Sequence, residues 1–325
     1  MDARIGWWAA GGAAAAAAAL LVAPAAGAGT ALCDGREATI VGSRGPDVLA
    51  GTAGEDVFQT GAGRDVVDGR GGDDVVCTGP GPDLATDGRG DDELHLGPGD
   101  DVAQPAPGGA DMSAGGSGVD RLDYQLVGFD GPGVTVDLVA HTAGGVAGSD
   151  RVRGFESVAG SYGRDVLRGT TGPNTLSGDA GHDALIGRGG DDRIVADLAP
   201  DTVNAGPGDD TLVVPGDGIR QGPDAFAGGP GRDLLTFARA YSGPGLVVDL
   251  AAGTVRGLGQ DTVTGVEDVT GTDLRGDTLS GDAGDNVLRG LGGGDTLDGG
   301  GGTDRAVGGV GADACRAETV VDCES

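Results

Sequence analysis

An aspartate recurs at every ninth position through the first part of the chain: Asp47, Asp56, Asp65, Asp74, Asp83, Asp92 and Asp101. A glycine stands two residues before each aspartate, and a small or apolar residue stands two residues after it. Glycine permits positive φ and close backbone approach, so its carbonyl can turn toward an ion beside the carboxylate. Calcium accepts about six to eight oxygen ligands at flexible angles. The spacing therefore predicts a stack of similar turns that bind calcium.

The same phase continues, with interruptions, through two later parts of the chain. Ala110 takes an expected aspartate position and Asp111 follows it, Asn174 and Asn286 are neutral, and Asp201 has no preceding glycine. Ile219 falls where another aspartate is expected, and the count restarts at Asp224. We predict these metal ligands: Asp47, Asp56, Asp65, Asp74, Asp83, Asp92, Asp101, Asp120, Asp165, Asp183, Asp192, Asp210, Asp233, Asp277, Asp295, Asp304 and Asp313.

The composition narrows the class of protein. The chain has 325 residues, of which 71 are glycine, and it carries a formal net charge of −30. This acidity argues against nucleic-acid binding, because phosphates would be repelled. Acidic chains with few aromatic residues are often disordered, but disorder does not explain a nine-residue phase. One apolar residue per repeat gives little core, so the stacked carboxylates need a cation to neutralise them.

Written out, residues 61–69 are GAGRDVVDG, residues 88–96 are GRGDDELHL and residues 300–308 are GGGTDRAVG. This pattern resembles the hemolysin-type (RTX) calcium-binding nonapeptide G-G-x-G-x-D-x-U-x over most of residues 43–314. The resemblance implies an all-β fold, a parallel β-roll or β-solenoid in which two repeats complete one coil. Multiple Ca²⁺ ions would lie between successive turns. One edge would carry Asp47, Asp65, Asp83 and Asp101, and the other Asp56, Asp74 and Asp92.

Two strand-rich inserts resemble each other and separate the repeats. Residues 133–138 read GVTVDL and residues 245–250 read GLVVDL, and alternation in the first predicts a strand. We interpret the inserts as longer coils of the same solenoid. Glu156 and Glu267 occupy matching positions in the two inserts. They are either extra metal ligands or structural residues. The expected organisation is a signal peptide (1–28), N-terminal cap (29–42), repeat block 1 (43–120), insert (121–160), block 2 (161–233), insert (234–273), block 3 (274–314) and C-terminal cap (315–325).

The chain ends predict export. Residues 1–28 have a basic start, an apolar core and a small-residue cleavage site near Ala28, which is typical of a signal peptide. An uncleaved membrane anchor is the alternative. Of three possible pairings of the four cysteines, we favour Cys33–Cys77 and Cys315–Cys323, because each would clamp one end of a solenoid. A zinc site is the competing interpretation of these cysteines.

We therefore expect a secreted, monomeric calcium-binding protein without enzymatic activity and without a membrane span in the mature chain. The three histidines, His95, His141 and His182, lie in no metalloprotease motif, and no nucleophile elbow occurs. We expect them to be solvated or turn residues. A calcium-dependent cell-surface adhesion or matrix protein is the main alternative function. A carbohydrate-active enzyme on a β-helix is a remote one, because aromatic side chains for sugar stacking are scarce.

Overall fold

The computed structural model describes residues 31–125, 127, 132–197, 199–215, 222–237, 245–257 and 259–323. The predicted signal peptide, its cleavage region near Ala28, and Ile219 lie outside the described residues. Within the described ranges the chain forms strands and turns and contains no helix. Accordingly, this part of the chain offers no helix long and apolar enough to cross a membrane.

The strands are short and follow one another at regular spacing. The first half contains β1 (Leu32–Cys33), β2 (Arg36–Glu37), β3 (Ile40–Val41), β4 (Val48–Ala50), β5 (Val57–Gln59), β6 (Val66–Asp68), β7 (Val75–Cys77), β8 (Leu84–Thr86), β9 (Glu93–Pro98), β10 (Val102–Gln104), β11 (Met112–Ser117), β12 (Arg121–Asp123), β13 (Pro132–Asp137), β14 (Thr142–Gly145), β15 (Gly148–Arg153) and β16 (Ser157–Ala159). The second half contains β17 (Arg164–Arg168), β18 (Thr175–Ser177), β19 (Ala184–Ile186), β20 (Arg193–Val195), β21 (Thr202–Asn204), β22 (Thr211–Val213), β23 (Ala225–Ala227), β24 (Leu234–Thr236), β25 (Val247–Asp249), β26 (Thr254–Arg256), β27 (Gln260–Thr264), β28 (Asp268–Thr270), β29 (Thr278–Ser280), β30 (Val287–Gly292), β31 (Thr296–Asp298), β32 (Arg305–Val310), β33 (Ala314–Arg316) and β34 (Thr319–Val321).

These strands form two long sheets that share one interior. Sheet 1, as far as the described residues define it, has 14 strands, in the order β4, β6, β8, β10, β12, β16, β18, β20, β22, β24, β28, β30, β32 and β34. Its neighbours are parallel, and a register such as Val48↔Val66 advances by one pair of repeats. Sheet 2 contains the intervening strands, with registers such as Val57↔Val75. Two nine-residue repeats therefore complete one coil, which confirms the predicted parallel β-roll.

We call the aspartates of the nine-residue series that begins at Asp47 the ladder. The core consists of the residue two positions after each ladder aspartate. Leu49, Val67 and Ala85 lie inside sheet 1, and Phe58 and Val76 face them from sheet 2; all five are buried. The alternation of side chains along a strand explains this arrangement, because the middle residue of a three-residue strand points to the face opposite its two neighbours. Each repeat thus contributes one main apolar side chain to a narrow core.

The inserts remain within the solenoid, but they are not simple longer parallel coils as we expected. In each insert, sheet 2 receives three consecutive strands that run antiparallel to one another, β13–β14–β15 and β25–β26–β27. Tight turns produce this reversal, with positive φ at His141 and Gly145 in the first insert. Sheet 1 continues across the insert without interruption, since β12 pairs directly with β16.

The inserts therefore make sheet 2 longer than sheet 1. Each insert adds two strands to sheet 2 only, which at about 4.8 Å per strand corresponds to roughly 10 Å. The two sheets cannot stay flat and equidistant over such a difference, so larger side chains fill the space between them. Tyr124 and Phe155 are buried at the first insert, and Phe237 and Val266 are buried at the second.

The two ends are closed by the disulfides that we favoured, Cys33–Cys77 and Cys315–Cys323. The β1–β2 hairpin lies on the outer face of sheet 2, where Cys33 packs with Val57 and Val75 in a small cluster separate from the main core. At the other end, the disulfide joins β33 to the residues after β34. Each disulfide therefore ties a terminal segment to strands near one end of the solenoid.

Candidate metal sites

Each ladder aspartate stands directly before a strand or at its start, and most are held by the previous coil. In most of them Oδ1 accepts a hydrogen bond from the backbone N–H of the ladder residue one coil earlier: Asp65 N donates to Asp83 Oδ1 at 2.7 Å, and Asp74 N donates to Asp92 Oδ1 at 2.7 Å. Asp83 and Asp92 are almost fully buried. The backbone of one coil therefore holds the carboxylate of the next, and a column results.

The columns follow the two predicted edges. The sheet 1 column contains Asp47, Asp65, Asp83, Asp101, Asp120, Glu156, Asn174, Asp192, Asp210, Asp233, Glu267, Asn286, Asp304 and Glu318. The sheet 2 column runs in three parts, because Val134 N and Leu246 N, and not a ladder aspartate, donate to Oδ1 of Asp165 and Asp277 at the two inserts. The parts contain Asp56, Asp74, Asp92, Asp111 and Asp150, then Asp165, Asp183, Asp201, Asp224 and Asp261, then Asp277, Asp295 and Asp313.

The columns do not break where the nine-residue count fails, contrary to our expectation. At Ala110 the chain carries one extra residue, and Asp111 accepts the hydrogen bond from Asp92 N at 2.8 Å. Around Ile219 the ladder spans 23 residues, and Asp201 N donates to Asp224 Oδ1 at 2.9 Å. The strand register, and not the count of residues, therefore determines which ladder residues meet.

Three glutamates occupy ladder positions that a search for aspartates misses. Asp120 N donates to Glu156 Oε2 at 3.0 Å, Asp233 N to Glu267 Oε2 at 2.8 Å, and Asp304 N to Glu318 Oε2 at 2.8 Å. Each precedes a sheet 1 strand at an insert or at the C-terminal cap. In the sequence, the matching positions of Glu156 and Glu267 were the feature that could have indicated this. The match did not decide whether the two glutamates are ligands or structural residues.

The surroundings of the second carboxylate oxygen, Oδ2, distinguish two kinds of turn. In the first kind, the residue four positions before the aspartate has positive φ and Oδ2 is buried without a hydrogen-bond partner among the described residues. We call these open turns. Glycine usually provides the positive φ, but Arg70, Asp179, Arg188 and Leu291 also adopt it. The open turns end at Asp74, Asp83, Asp92, Asp101, Asp120, Asp183, Asp192, Asp210, Asp233, Asp295 and Asp313.

In the second kind, which we call closed turns, protein groups satisfy Oδ2. Ser43 and Thr52 donate through both backbone N–H and hydroxyl groups to Oδ2 of Asp47 and Asp56, at 2.6–3.0 Å. The remaining predicted ligands with closed turns are Asp65, held by Thr60, Asp165, held by Ser161, and Asp277, held by Thr272. Closed turns stand at the start of each repeat block, so five predicted ligands differ from the other aspartates in their surroundings. Asp304 is buried and follows a positive-φ glycine, Gly300.

In turns of both kinds, such as those of Asp56 and Asp192, a glycine five positions before the aspartate lies next to Oδ2. A methyl group at Gly187 would meet both Asp192 Oδ2 and the Ala205 carbonyl oxygen at less than 3.0 Å. A carboxylate oxygen and a carbonyl oxygen from the next coil thus face the same small space. Buried oxygens without hydrogen-bond donors are costly, whereas oxygen ligands are what a hard cation requires. The residues of the open turns therefore fit a calcium ion.

Burial also raises the pKa of these carboxyl groups. The pKa rises to about 7 for Asp74, about 7 for Asp192 and about 6 for Asp295, chiefly through loss of solvation. A backbone hydrogen bond offsets part of this effect, and neighbouring ladder carboxylates add to it. The carboxylates repel one another in a poorly solvated column, so a bound cation would stabilise their ionised forms.

One turn gathers an additional carboxylate. Carboxylate oxygens of Asp183, Asp197 and Asp201 lie within 4.8 Å of one another, and an open cleft of about 630 Å³ borders Asp183 and Asp201. Burial, with the Asp201 charge contributing, raises the pKa of Asp183 to about 8. Asp201 lacks a preceding glycine, which weakened it as a sequence candidate. Asp197 stands in the turn instead and brings its charge to the site.

Exposed aspartates directly before the ladder have a role beyond surface charge. Asp73 Oδ1 accepts a hydrogen bond from Asp91 N at 3.0 Å, and Asp191 Oδ1 accepts one from Asp209 N at 2.9 Å. They therefore join neighbouring turns on the outside of the columns. Among the histidines, His182 is exposed beside the cleft at Asp183, and His141 lies in the hairpin turn of the first insert.

Comparison with known proteins agrees with this geometry. The sequence matches the family described as RTX calcium-binding nonapeptide repeat (4 copies) at residues 41–76, 78–103, 159–194, 186–213 and 273–314. No curated protein sequence matches the chain. Among solved structures, extracellular lipase LipA from Serratia marcescens shares 19% identity over 66% of this chain and 40% of its own, with a TM-score of 0.19. The chain thus spans less than half of that lipase, and a similarity this low carries no argument about activity.

Proposed function

Because the chain contains RTX calcium-binding nonapeptide repeats, we propose that it is a secreted protein whose solenoid becomes ordered when several calcium ions bind between its turns. The observation that carries the proposal is the set of buried Oδ2 atoms in the open turns, which accept no hydrogen bond within the described part of the chain. Burying so many carboxylates without donors is unfavourable unless cations neutralise them.

The open turns are the calcium sites in this proposal. Their aspartates supply Oδ2, and the adjacent glycine-rich backbone supplies carbonyl oxygens, as at Asp192 and Ala205. The closed turns need no ion, because Ser or Thr groups already satisfy the carboxylates of Asp47, Asp56 and Asp165. They would fold first at the start of each block and present a template for the open turns. Calcium supplies charge neutralisation and no reaction step.

The repeat family is a structural calcium-binding repeat and not a catalytic one. We propose that the described solenoid acts without enzymatic activity. Export is supported by the two disulfides, which are typical of oxidising compartments, together with the signal peptide predicted for residues 1–28. Calcium is scarce in the cytoplasm and abundant outside, so the chain would stay loose before export and become ordered afterwards.

A calcium titration of the mature chain, residues 29–325, tests the proposal. We expect the circular dichroism spectrum to change from coil to β-structure with a midpoint at about 10⁻⁴–10⁻³ M calcium, the range of extracellular modules. Stacking of repeats should make the change cooperative. Calorimetry would give the number of ions. An unchanged spectrum at millimolar calcium, or an equal response to magnesium, would contradict calcium-dependent ordering.

Matched substitutions distinguish the two kinds of turn. Asp83→Asn changes an open turn, and Asp56→Asn changes a closed turn on the other edge; both aspartates are buried. We expect Asp83→Asn to reduce the number of bound ions on the sheet 1 edge while the Asp74 edge keeps its ions. Asp56→Asn should leave the number of ions unchanged. The assignment of ions to open turns fails if the two variants lose the same number of ions.

A further inference from the structure

A second type of metal-binding group lies on the outer face of sheet 2, away from the ladder. The ligand atoms of Asp34, Glu93 and His95 lie within 4.8 Å of one another. His95 Nε2 and Glu93 Oε1 are 2.9 Å apart. Asp34 is exposed, and the other two side chains are half-buried. One imidazole and two carboxylates therefore converge at the surface.

The disulfide and the strand register bring these residues together. Val75 pairs with Glu93 and Cys77 pairs with His95 where β7 adjoins β9, so Glu93 and His95 continue two rows of outward-facing side chains. The disulfide ties Cys33 to Cys77, which places Asp34, the next residue, beside the neighbouring strand. Asp34 has a φ of 44° at the turn of the β1–β2 hairpin. Asp34, at the tip of the β1–β2 hairpin, therefore lies beside β9, one strand beyond β7, to which the disulfide attaches the hairpin.

We propose that Asp34, Glu93 and His95 form a site for a divalent transition-metal ion of the zinc class. Zinc binds imidazole nitrogen and carboxylate oxygen in a tetrahedral arrangement at about 2.0–2.2 Å, which requires ligand atoms about 3.3 Å apart. The observed separations reach this spacing with small side-chain movements. A water molecule completes the coordination, because the site is open to solvent.

The ligand set separates this site from the calcium ladder. Calcium prefers oxygen ligands alone, whereas an imidazole favours zinc, copper or nickel. The bound metal would join the N-terminal hairpin to β9 and so extend the Cys33–Cys77 clamp from β7 to the next strand. The net charge of −30 attracts cations to the surface in general, so selectivity must come from His95.

Zinc chloride titrated by calorimetry into the calcium-saturated full mature chain tests the proposal. We expect one zinc ion to bind while the calcium sites remain occupied. His95→Ala should lower zinc affinity by more than about tenfold, since even indirect support of a metal ligand is worth that much. Asp34→Asn, which tolerates the positive φ of this turn, should lower it less. His141→Asn, at a positive-φ position in the first insert, should leave it unchanged.

Protection of the hairpin gives a second readout. Limited proteolysis between Leu32 and Val41 should slow when zinc is added to the wild-type protein, and should not slow for His95→Ala. Unchanged calcium binding and dichroism would show that His95→Ala is folded. The proposal is overturned if the wild type binds no zinc beyond its acidic surface background, or if His95→Ala binds zinc as tightly as the wild type.

Discussion

At a buried ladder aspartate, the two carboxylate oxygens face different partners. Oδ1 of Asp101 accepts a backbone hydrogen bond from Asp83 at 2.8 Å, whereas its Oδ2 has no partner in the described part of the chain. The first contact belongs to the fold and is present in open turns and also in the closed turns of Asp65, Asp165 and Asp277. The second oxygen is left for a ligand. Replacing an aspartate by asparagine therefore tests ion binding more cleanly than replacing it by alanine, because asparagine keeps an acceptor in place of Oδ1.

The raised pKa values predict how pH and calcium act together. Burial raises the pKa of Asp74 to about 7 and of Asp101 to about 6 from an ordinary 3.8. The calcium-free folded state then holds more protons than the unfolded state between pH 3.8 and about 7, so its stability is greatest at low pH and falls as pH rises through this window. Calcium competes with these protons.

Because these protons favour the folded form, we expect the residual β-structure of the calcium-free chain to be greatest near pH 5 and to be lost as the pH rises to about 7.5. Circular dichroism of the calcium-free chain across this range measures it. A calcium-free chain whose β-structure increases as the pH rises toward neutrality would contradict the prediction.

The duplicated insert provides an internal comparison for one buried hydroxyl. Tyr124 is fully buried and its Oη has no hydrogen-bond partner among the described residues, while Phe237 stands at the equivalent place in the second insert. A buried donor without an acceptor is unfavourable, so Tyr124→Phe should raise the free energy of unfolding by about 1 kcal/mol. Chemical denaturation in saturating calcium measures this. A loss of stability would indicate a partner for the hydroxyl, such as a buried water molecule.

At the scale of the turn, glycine has two separate functions. Four positions before the aspartate it supplies positive φ, and five positions before it leaves room for two oxygens from different coils. The second function does not depend on φ, because Gly187 has an ordinary backbone conformation. At Gly187 an added methyl group would meet both oxygens at less than 3.0 Å and displace the carboxylate or the carbonyl, whereas Ala205 holds the equivalent place before Asp210.

Gly187→Ala should consequently lose calcium at its turn and lower stability by about 1–3 kcal/mol, as overpacked sites do. Gly172→Ala in the same block is the matched control, because its nearest neighbour, Thr170 Oγ1, would be 3.8 Å away. The measurements are the calcium stoichiometry and the denaturation midpoint of both variants. If the two variants behave alike, loss of glycine flexibility and not the filled space explains the effect.

At the scale of the whole molecule, a disulfide lies near each end of the solenoid. Cys33 and Cys77 are separated by 44 residues and Cys315 and Cys323 by 8. Closing the longer loop removes more entropy from the unfolded chain, by roughly 4 against 2.5 kcal/mol in the chain-entropy model. We expect Cys33→Ser/Cys77→Ser to be the more destabilising pair of substitutions.

Denaturation of both double variants in saturating calcium measures the difference. The N-terminal variant should also lose the protection of β1 and β2 from amide hydrogen exchange, because the hairpin contacts only the outer face of sheet 2. Equal destabilisation by the two variants would indicate that the native contacts of each cap, and not loop length, set the contribution of its disulfide.

The sequence by itself predicted stacked nine-residue turns, and its resemblance to a known repeat family implied the parallel solenoid and its two edges. It favoured the disulfide pairing without determining it. The nine-residue phase was sufficient to predict that Leu49, Phe58 and Val67 face inward. The tertiary structure decided what depends on contacts between coils. It placed Glu156 and Asp111 in columns that counting residues had missed, and it reversed strands inside the inserts.

It also decided which carboxylate oxygens lack a donor, because that depends on the φ of a residue such as Arg70 and on hydroxyl groups such as that of Thr52. Likewise, Asp34 meets His95 only because strand pairing and a disulfide bring distant residues together. Repetition makes local geometry predictable from the sequence. The partners of a buried polar atom come from other coils, and only the folded chain determines them.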